Sequence, residues 1–246
     1  MPAVDAQPSG RRPAHVLVIE DDDSVRDVVR RYLERDGHRV STALDGEAGL
    51  LLAAADPPDL VVLDLMLPGI DGLEVCARLR AEARAGPPIA VVMLTALGEE
   101  EDRLTGLSLG ADDYVTKPFS PRELALRVSS VLRRLQPRED DARRPSLLRD
   151  DGLLMDTAAR SARLNDRDLG LTVREFDLLT FLLTHPGQVF TRADLLEQVW
   201  GWSFGDYSTV TVHVKRLRAK LDIEDSADRI ATVYGVGYRY DIVEAG

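Results

Sequence analysis

With a single cysteine, Cys76, the 246-residue chain cannot form a disulfide within itself. A cross-linked scaffold is excluded, and the helix-like setting of Cys76 in residues 73–79 predicts a packed structural thiol. Long hydrophobic runs are also missing, since no window approaches the roughly 18 apolar residues of a membrane span. Residues 1–13 hold proline, glycine and arginine but no apolar core suited to a secretory signal. A disordered tail, a cytoplasmic location and no membrane partner are therefore expected. Positive charge is the minority, 31 Lys and Arg against 42 Asp and Glu, and the formal net charge of -11 argues against a generally adhesive nucleic-acid binder. Internal repeats and low-complexity tracts are absent.

What is present, 44% hydrophobic and 30% charged residues in this length, is enough for two domains that each bury a core. Over residues 14–135, apolar strand runs at 16–19, 39–43, 60–64, 89–94 and 114–116 alternate with amphipathic patterns at 24–36, 45–55, 71–83, 98–109 and 120–135. In the first of these, Val25, Val28, Val29, Tyr32 and Leu33 keep helical spacing, with Ser24 as the expected cap and Gly37 as the stop. Five βα units predict a doubly wound α/β domain with helices on both faces. Residues 136–151, polar and charged with two prolines, read as a linker.

Beyond it, residues 152–246 change character. Short strands at 153–156, 161–164 and 169–171 are expected before helices opening at Thr172, Thr191 and about Ser208. Strand runs at 229–234 and 238–243 around Gly235-Val236-Gly237 read as a hairpin. This is the α+β plan of a winged helix. Between Tyr207 and Leu221 there is no acidic residue, while Lys215, Arg216, Arg218 and Lys220 are basic, a local reversal of charge suited to nucleic acid.

The chemistry gathers at strand ends. Glu20, Asp21, Asp22 and Asp23 follow the first apolar run, Asp64 closes the third, Thr95 follows the fourth and Lys117 follows the fifth. In open parallel sheets, ligands collect outside the carboxyl ends of the strands. Carboxylates crowded there repel unless a cation offsets them, and Mg²⁺ is commonly held by one or two carboxylates plus a phosphate. Glu20, Asp21 and Asp64 supply that set; Thr95 and Lys117 supply a hydroxyl and a positive charge for phosphoryl oxygens. Asp64 is the best-placed carboxylate to accept a phosphoryl group as an aspartyl phosphate. Helix capping alone would account for the acid run at 20–23, but not for Asp64 or Lys117-Pro118.

At these residues the chain resembles the two-component response regulators. Glu20-Asp21, Asp64, Met66-Leu67-Pro68-Gly69, Thr95-Ala96 and the run from Gly110 to Phe119 are similar to a receiver domain. Val212-His213-Val214-Lys215-Arg216-Leu217-Arg218 and Gly235-Val236-Gly237-Tyr238-Arg239-Tyr240 are similar to the DNA-binding domain of the OmpR/PhoB branch. The resemblance implies a flavodoxin-like five-stranded parallel sheet in the order 2-1-3-4-5, with a winged helix after it. It implies Asp64 as phosphoacceptor, Mg²⁺ on Glu20, Asp21, Asp64 and the Met66 carbonyl, and Lys117, before a cis proline, on the phosphoryl group. Thr95 and Tyr114 become a switch pair.

Arg103, Asp112, Asp113, Glu123, Arg127 and Arg134 match the positions through which such receivers form a homodimer on phosphorylation. For DNA, the resemblance implies phosphate contacts from Lys215, Arg216, Arg218 and Lys220, with Thr209, Thr211 or His213 toward bases or backbone and Arg239 in the hairpin. Tyr234 departs from the arginine common before the Gly-x-Gly turn. A sensor histidine kinase and RNA polymerase, the latter through residues 200–207, are the implied protein partners. The function expected is a phosphorylation-switched transcription factor that binds tandem half-sites. A constitutive DNA-binding protein whose receiver only dimerises, or an aspartyl-phosphate phosphotransfer enzyme, are the competing readings; for a hydrolase, Asp64-Leu65-Met66 lacks the second acid two positions on.

Overall fold

The computed structural model describes residues 12–82, 89–96, 110–135, 146–202, 206–221 and 229–243. The helix expected at 98–109, and Arg103 with it, lies outside the described residues. Strands β1 (His15–Ile19), β2 (Arg39–Ala43), β3 (Leu60–Asp64), β4 (Ala90–Ala96) and β5 (Asp113–Lys117) form a parallel sheet in the order β2-β1-β3-β4-β5. This is the doubly wound sheet expected from the sequence.

Alternation along each strand divides the core between the two faces. Leu17, Ile19, Val61, Leu63, Val91 and Met93 pack against α2 (Gly46–Ala55) and α3 (Gly72–Glu82). Val16, Val18, Leu60, Val62, Val92 and Leu94 pack against α1 (Asp23–Arg35) and α4 (Pro121–Leu135). Cys76 is buried in the first cluster, and burial pushes its thiol pKa up, so it packs as a small apolar group.

Helix α1 is capped by Asp22, one of the acids of the 20–23 run read as capping this helix, and not by Ser24: the Asp22 carboxylate accepts from the Ser24 and Val25 N–H groups at 2.8 and 3.0 Å. An ionised oxygen answers both the unpaired donors and the positive helix end, which a hydroxyl answers less well. Gly37, with φ +87°, ends the segment as expected.

In the second domain, β6 (Leu147–Asp150), β7 (Leu153–Asp156), β8 (Ser161–Leu164) and β9 (Arg167–Asp168) form an antiparallel sheet in chain order. β6 falls within the segment expected as linker. Its acid is the reason it belongs to the fold: Asp150 is buried and accepts from the Tyr240 hydroxyl at 2.7 Å and the Val243 N–H at 3.1 Å. Leu169 and Leu171, expected in a strand, instead enter the core just after β9.

Helix α5 (Val173–Leu183) opens with the expected Thr172/Glu175 capping box. Strand β10 (Val189–Thr191), too short to show a period, precedes α6 (Arg192–Leu195), which continues as a π-helical turn over Leu196–Trp200. Helix α7 (Ser208–Leu221) leads to the hairpin of β11 (Ile230–Val233) and β12 (Gly237–Tyr240), and the sheet order is β10-β12-β11. A Cβ at Gly237 would overlap the Phe190 carbonyl, so only glycine lets β10 lie against the hairpin. Among the described residues no helix is long and apolar enough to cross a membrane.

Candidate phosphoacceptor site and DNA-facing surface

Glu20 leaves β1 directly, held by its N–H donating to Ala43 O of β2 at 3.1 Å. One oxygen from each of Glu20, Asp21 and Asp64 lies within 4.8 Å of the others. Glu20 and Asp64 are buried and Asp21 is exposed. From the end of β5, Lys117 Nζ stands 2.9 Å from Asp64 Oδ2 and 2.8 Å from Glu20 Oε2. Burial, with Asp64 adding repulsion, outweighs Lys117 and pushes the Glu20 pKa up. Burial works against the Lys117 ammonium, but Glu20 and Asp64 prevail and hold its pKa above the ordinary value.

One ammonium among three carboxylates leaves an excess of negative charge on hard oxygen donors. That donor set fits a hard divalent cation. Asp22 and Asp23 stand apart from it: Asp22 caps α1 and Asp23 pairs with Arg26. Arg26 also donates to the Glu20 and Asp21 carbonyls, at 2.6 and 3.2 Å, fixing the backbone of the acidic pair. Sequence reasoning missed this brace; its only signal is a basic residue one turn into the helix after an acid run.

Asp64 is set by its turn. Leu65 N–H donates to Leu94 O at 3.1 Å and Gly72 N–H to Leu65 O at 3.0 Å. A Cβ on Gly72 would overlap the Asp64 carbonyl. Thr95 is buried on the adjacent strand, one residue past the Asp64–Leu94 register pair, and Met66 is exposed just beyond the turn. The Lys117–Pro118 bond is cis, as the resemblance implied.

Residues 16–129 match the response regulator receiver domain family, and residues 166–240 match the family described as transcriptional regulatory protein, C terminal. The chain is 41% identical over 233 residues to the transcriptional regulatory protein ResD of Bacillus subtilis, covering 92% of this chain and 95% of ResD. It is also 41% identical over 243 residues to the alkaline phosphatase synthesis transcriptional regulatory protein SphR of Synechococcus elongatus, covering 94% and 93%. A solved cysteine-to-serine mutant of RitR superposes with a TM-score of 0.77 at 25% identity, covering 94% of this chain and 100% of that one. The chain belongs to the OmpR/PhoB family of two-component response regulators, with a receiver and a winged-helix DNA-binding domain. It is a transcription factor, not a catalytic enzyme.

On α7, Val210, Val214, Leu217 and Leu221 face the core of the second domain, and Thr211 and Lys215 are exposed. Arg216 Nε and Lys220 Nζ each lie 2.7 Å from a carboxylate oxygen of the fully buried Glu175. Burial opposes the Glu175 charge, but Arg216 and Lys220 outweigh it and hold its pKa down. Arg218 Nε donates to Ile230 O at 2.9 Å and its Nη2 to Thr232 Oγ1 at 2.9 Å, bracing the hairpin. Arg239 pairs with Asp241 at 2.5 Å, and Tyr234 is 92% exposed at the hairpin tip.

His213 corrects the sequence expectation. It has no exposed surface; Nδ1 lies 2.8 Å from Thr209 O and the ring meets Trp200 edge-on at 5.1 Å. Nothing of it faces DNA in this conformation, because its position falls on the inner side of the helix. Burial, reinforced by Arg216, pulls its pKa down to about 4. A folded-state value below the ordinary one contributes stability above about pH 6.5 that is lost as pH falls toward 4, by up to about 3 kcal/mol. The stability of the wild type relative to His213→Leu, read from melting curves, should therefore decline between those limits. Identical pH profiles would refute this role. Asp113, discussed next, acts in the opposite sense in both proteins, so their difference isolates His213.

The charged positions expected on the receiver's pairing face meet the second domain here. Asp112 is fully buried, accepting from Arg80 Nη2 at 3.0 Å, Val91 N–H at 2.8 Å and the Arg174 N–H of α5 at 3.0 Å. Asp113 is buried beside Arg127, and burial pushes its pKa up to about 6 against the pull of Arg127 and Arg174. Glu123 holds Arg127 at 2.8 Å, and the Arg127 guanidinium sits 4.0 Å from the Trp202 ring centroid. Arg134 donates to Gln198 O at 2.9 Å.

Two residues of this boundary escaped the sequence reading. Ser130 Oγ donates to Trp200 O at 2.7 Å, and the fully buried Arg174 donates to Val199 O at 2.8 Å. Ser130 stands beside Ser129 and Arg174 beside Glu175 in their helices, and nothing local distinguishes either from a solvated residue. Trp200, at the start of the segment 200–207, is a fully buried core residue.

Proposed function

We propose that Asp64 accepts a phosphoryl group from a sensor histidine kinase, and that this modification drives receiver-mediated homodimerisation and binding to tandem DNA half-sites. The observation that carries the reading is the Lys117 ammonium lying within hydrogen-bond distance of both Glu20 and Asp64 at the strand ends. In the transfer, an Asp64 carboxylate oxygen bonds to phosphorus as the phosphorus–nitrogen bond of a phosphohistidine breaks, and the released imidazole takes up a proton. Lys117 is placed to follow the charge from the carboxylate to the phosphoryl oxygens. Glu20, Asp21, Asp64 and the Met66 carbonyl would hold Mg²⁺, which when bound offsets charge on the transferring group. Thr95, buried next to Asp64, offers its hydroxyl to a phosphoryl oxygen, and inward rotation of Tyr114 is the coupled movement.

Pairing of two receivers would use Arg103, Asp112, Asp113, Glu123, Arg127 and Arg134. On DNA, Lys215, Arg216, Arg218 and Lys220 supply phosphate contacts, with Thr211 and Arg239 beside them; Thr209, buried like His213, does not face DNA in this conformation. Half-sites about one helical turn apart suit such a dimer. RNA polymerase would meet the segment at 200–207, where Tyr207 is exposed.

The test is capture of genomic fragments by the purified protein with Mg²⁺, with and without beryllofluoride, at one salt concentration. Enrichment of paired repeats only after treatment is expected. Equal enrichment in both samples would instead favour a constitutive regulator whose acidic site is not its control.

A further inference from the structure

The chain carries 28 arginines but three lysines, Lys117, Lys215 and Lys220. Lys117 stands in the candidate phosphoacceptor site, and the other two lie on α7. A guanidinium stays charged, whereas a lysine amine that gives up a proton is a nucleophile, and acylation abolishes its charge. Chemistry directed at lysine side chains therefore has three addresses in this protein, each where a positive charge is used.

The structure sets the three apart. The Lys117 side chain is 28% exposed and is held by Glu20 and Asp64, which against the cost of burial keep its pKa above the ordinary value. The Lys220 side chain is 30% exposed, pairs with the fully buried Glu175 and donates to Gly170 O at 2.6 Å. An ammonium held in this way has no lone pair to offer. Lys215 is exposed, one turn beyond the exposed Thr211, and it has no hydrogen-bond or ion-pair partner among the described residues. Its surroundings also suit an anionic reagent: residues 207–221 hold no acid, and Arg216 and Arg218 follow it directly.

We infer that Lys215 is a site of acylation by small acyl phosphates, and that its modification lowers the affinity of the chain for DNA. The inference rests on reading α7 as the DNA-facing helix. In the step, the Lys215 ammonium releases one proton to water and its nitrogen attacks the acyl carbon. The carbon–nitrogen bond forms as the bond from that carbon to the bridging oxygen breaks. Inorganic phosphate leaves with the electron pair and takes up a second proton from the nitrogen. The product is a neutral amide, so one phosphate contact on the DNA face is lost. Attack by Asp64 at phosphorus and by Lys215 at carbon would draw on the same donor with opposite effects on DNA binding.

The test uses the full chain as wild type, Lys215→Arg and Lys215→Gln. Each is incubated with acetyl phosphate, or in parallel with acetyl coenzyme A, without Mg²⁺ so that Asp64 stays unmodified. Peptide mass spectrometry gives the acetylation rate at each lysine. The donor is then removed, Mg²⁺ and beryllofluoride are added, and binding to random-sequence duplex DNA, which reports phosphate contacts, is measured against salt. Acetyl phosphate should modify Lys215 on the order of ten-fold faster than Lys117 or Lys220, whose charge-assisted hydrogen bonds must first break. In urea the three rates should converge. Treated wild type should bind about 8-fold more weakly than its untreated sample at about 0.1 M salt, with a slope lower by about 0.9. Lys215→Arg should show no change on treatment.

Equal rates at the three lysines of the folded protein overturn the selectivity, and modification by acetyl coenzyme A alone overturns the donor assigned. An equal loss of affinity in treated Lys215→Arg places the effect at another residue and overturns the inference. If Lys215 is modified but untreated Lys215→Gln binds as tightly as untreated wild type, the reading of α7 fails while the acylation site stands.

Discussion

Asp64→Asn should reduce phosphoryl incorporation from acetyl phosphate to background while leaving the receiver folded. The amide has no ionised oxygen with which to attack phosphorus, and no other carboxylate of the cluster has the same setting. Asp21 is exposed beyond the end of β1, and Glu20 is buried with both its oxygens near Lys117. The substitution is isosteric, and the amide oxygen can still accept from Lys117. One negative charge also leaves a crowded site, so without Mg²⁺ the variant should be at least as stable as the wild type. A gain on the order of 1 kcal/mol would raise the melting temperature by roughly 2–4 °C. Added Mg²⁺ should stabilise the wild type more than the variant, because binding to the folded state alone raises stability by mass action. Mass spectrometry of the intact protein reads the label. A variant still modified to full stoichiometry would place the phosphoacceptor elsewhere.

The same acids explain why so much of the site was legible. Strand runs ending in Glu20, Asp64, Thr95 and Lys117 state the layout twice: alternation defines the sheet, and the breaks in apolarity mark its carboxyl edge. What failed was of another kind. Asp22 and Ser24 are both good caps, and only the geometry of the turn chooses between them. β6 looked like linker because the buried role of Asp150 depends on Tyr240, 90 positions away. His213 lies close to four basic residues in sequence, yet its ring points inward to Trp200. Asp112, Arg127 and Arg134 were recognisable as surface charges, but a charge pattern names no partner, and here the partner is the second domain. A polar residue's meaning is set by what it meets at long range, which local periodicity does not carry.

Arg216 and Arg218, replaced together by glutamine, should lower the DNA affinity of the beryllofluoride-treated protein by roughly 60-fold at about 0.1 M salt, since each lost phosphate contact removes about 0.9 from the slope of log affinity against log salt. The slope itself should fall by about 1.8. The structure adds a second consequence, because both arginines are also braces. Arg218 holds the Ile230 carbonyl and Thr232, so its loss frees the hairpin from the helix. Arg216 is one of two cations offsetting the fully buried Glu175, and leaving a buried charge underpaired costs on the order of 3 kcal/mol. Lys215→Gln separates these effects: Lys215 is exposed, so its loss should reduce the slope by about 0.9 with an unchanged melting temperature. A second pair of variants goes further. Arg216→Gln alone should melt earlier, and adding Glu175→Gln should restore most of that stability, because removing both members of a buried pair is far less damaging than removing one. If DNA affinity stays low in the restored double variant, Arg216 contacts DNA directly. If affinity returns with stability, Arg216 supports the helix, and the phosphate contacts belong to its exposed neighbour Lys215 and to Lys220.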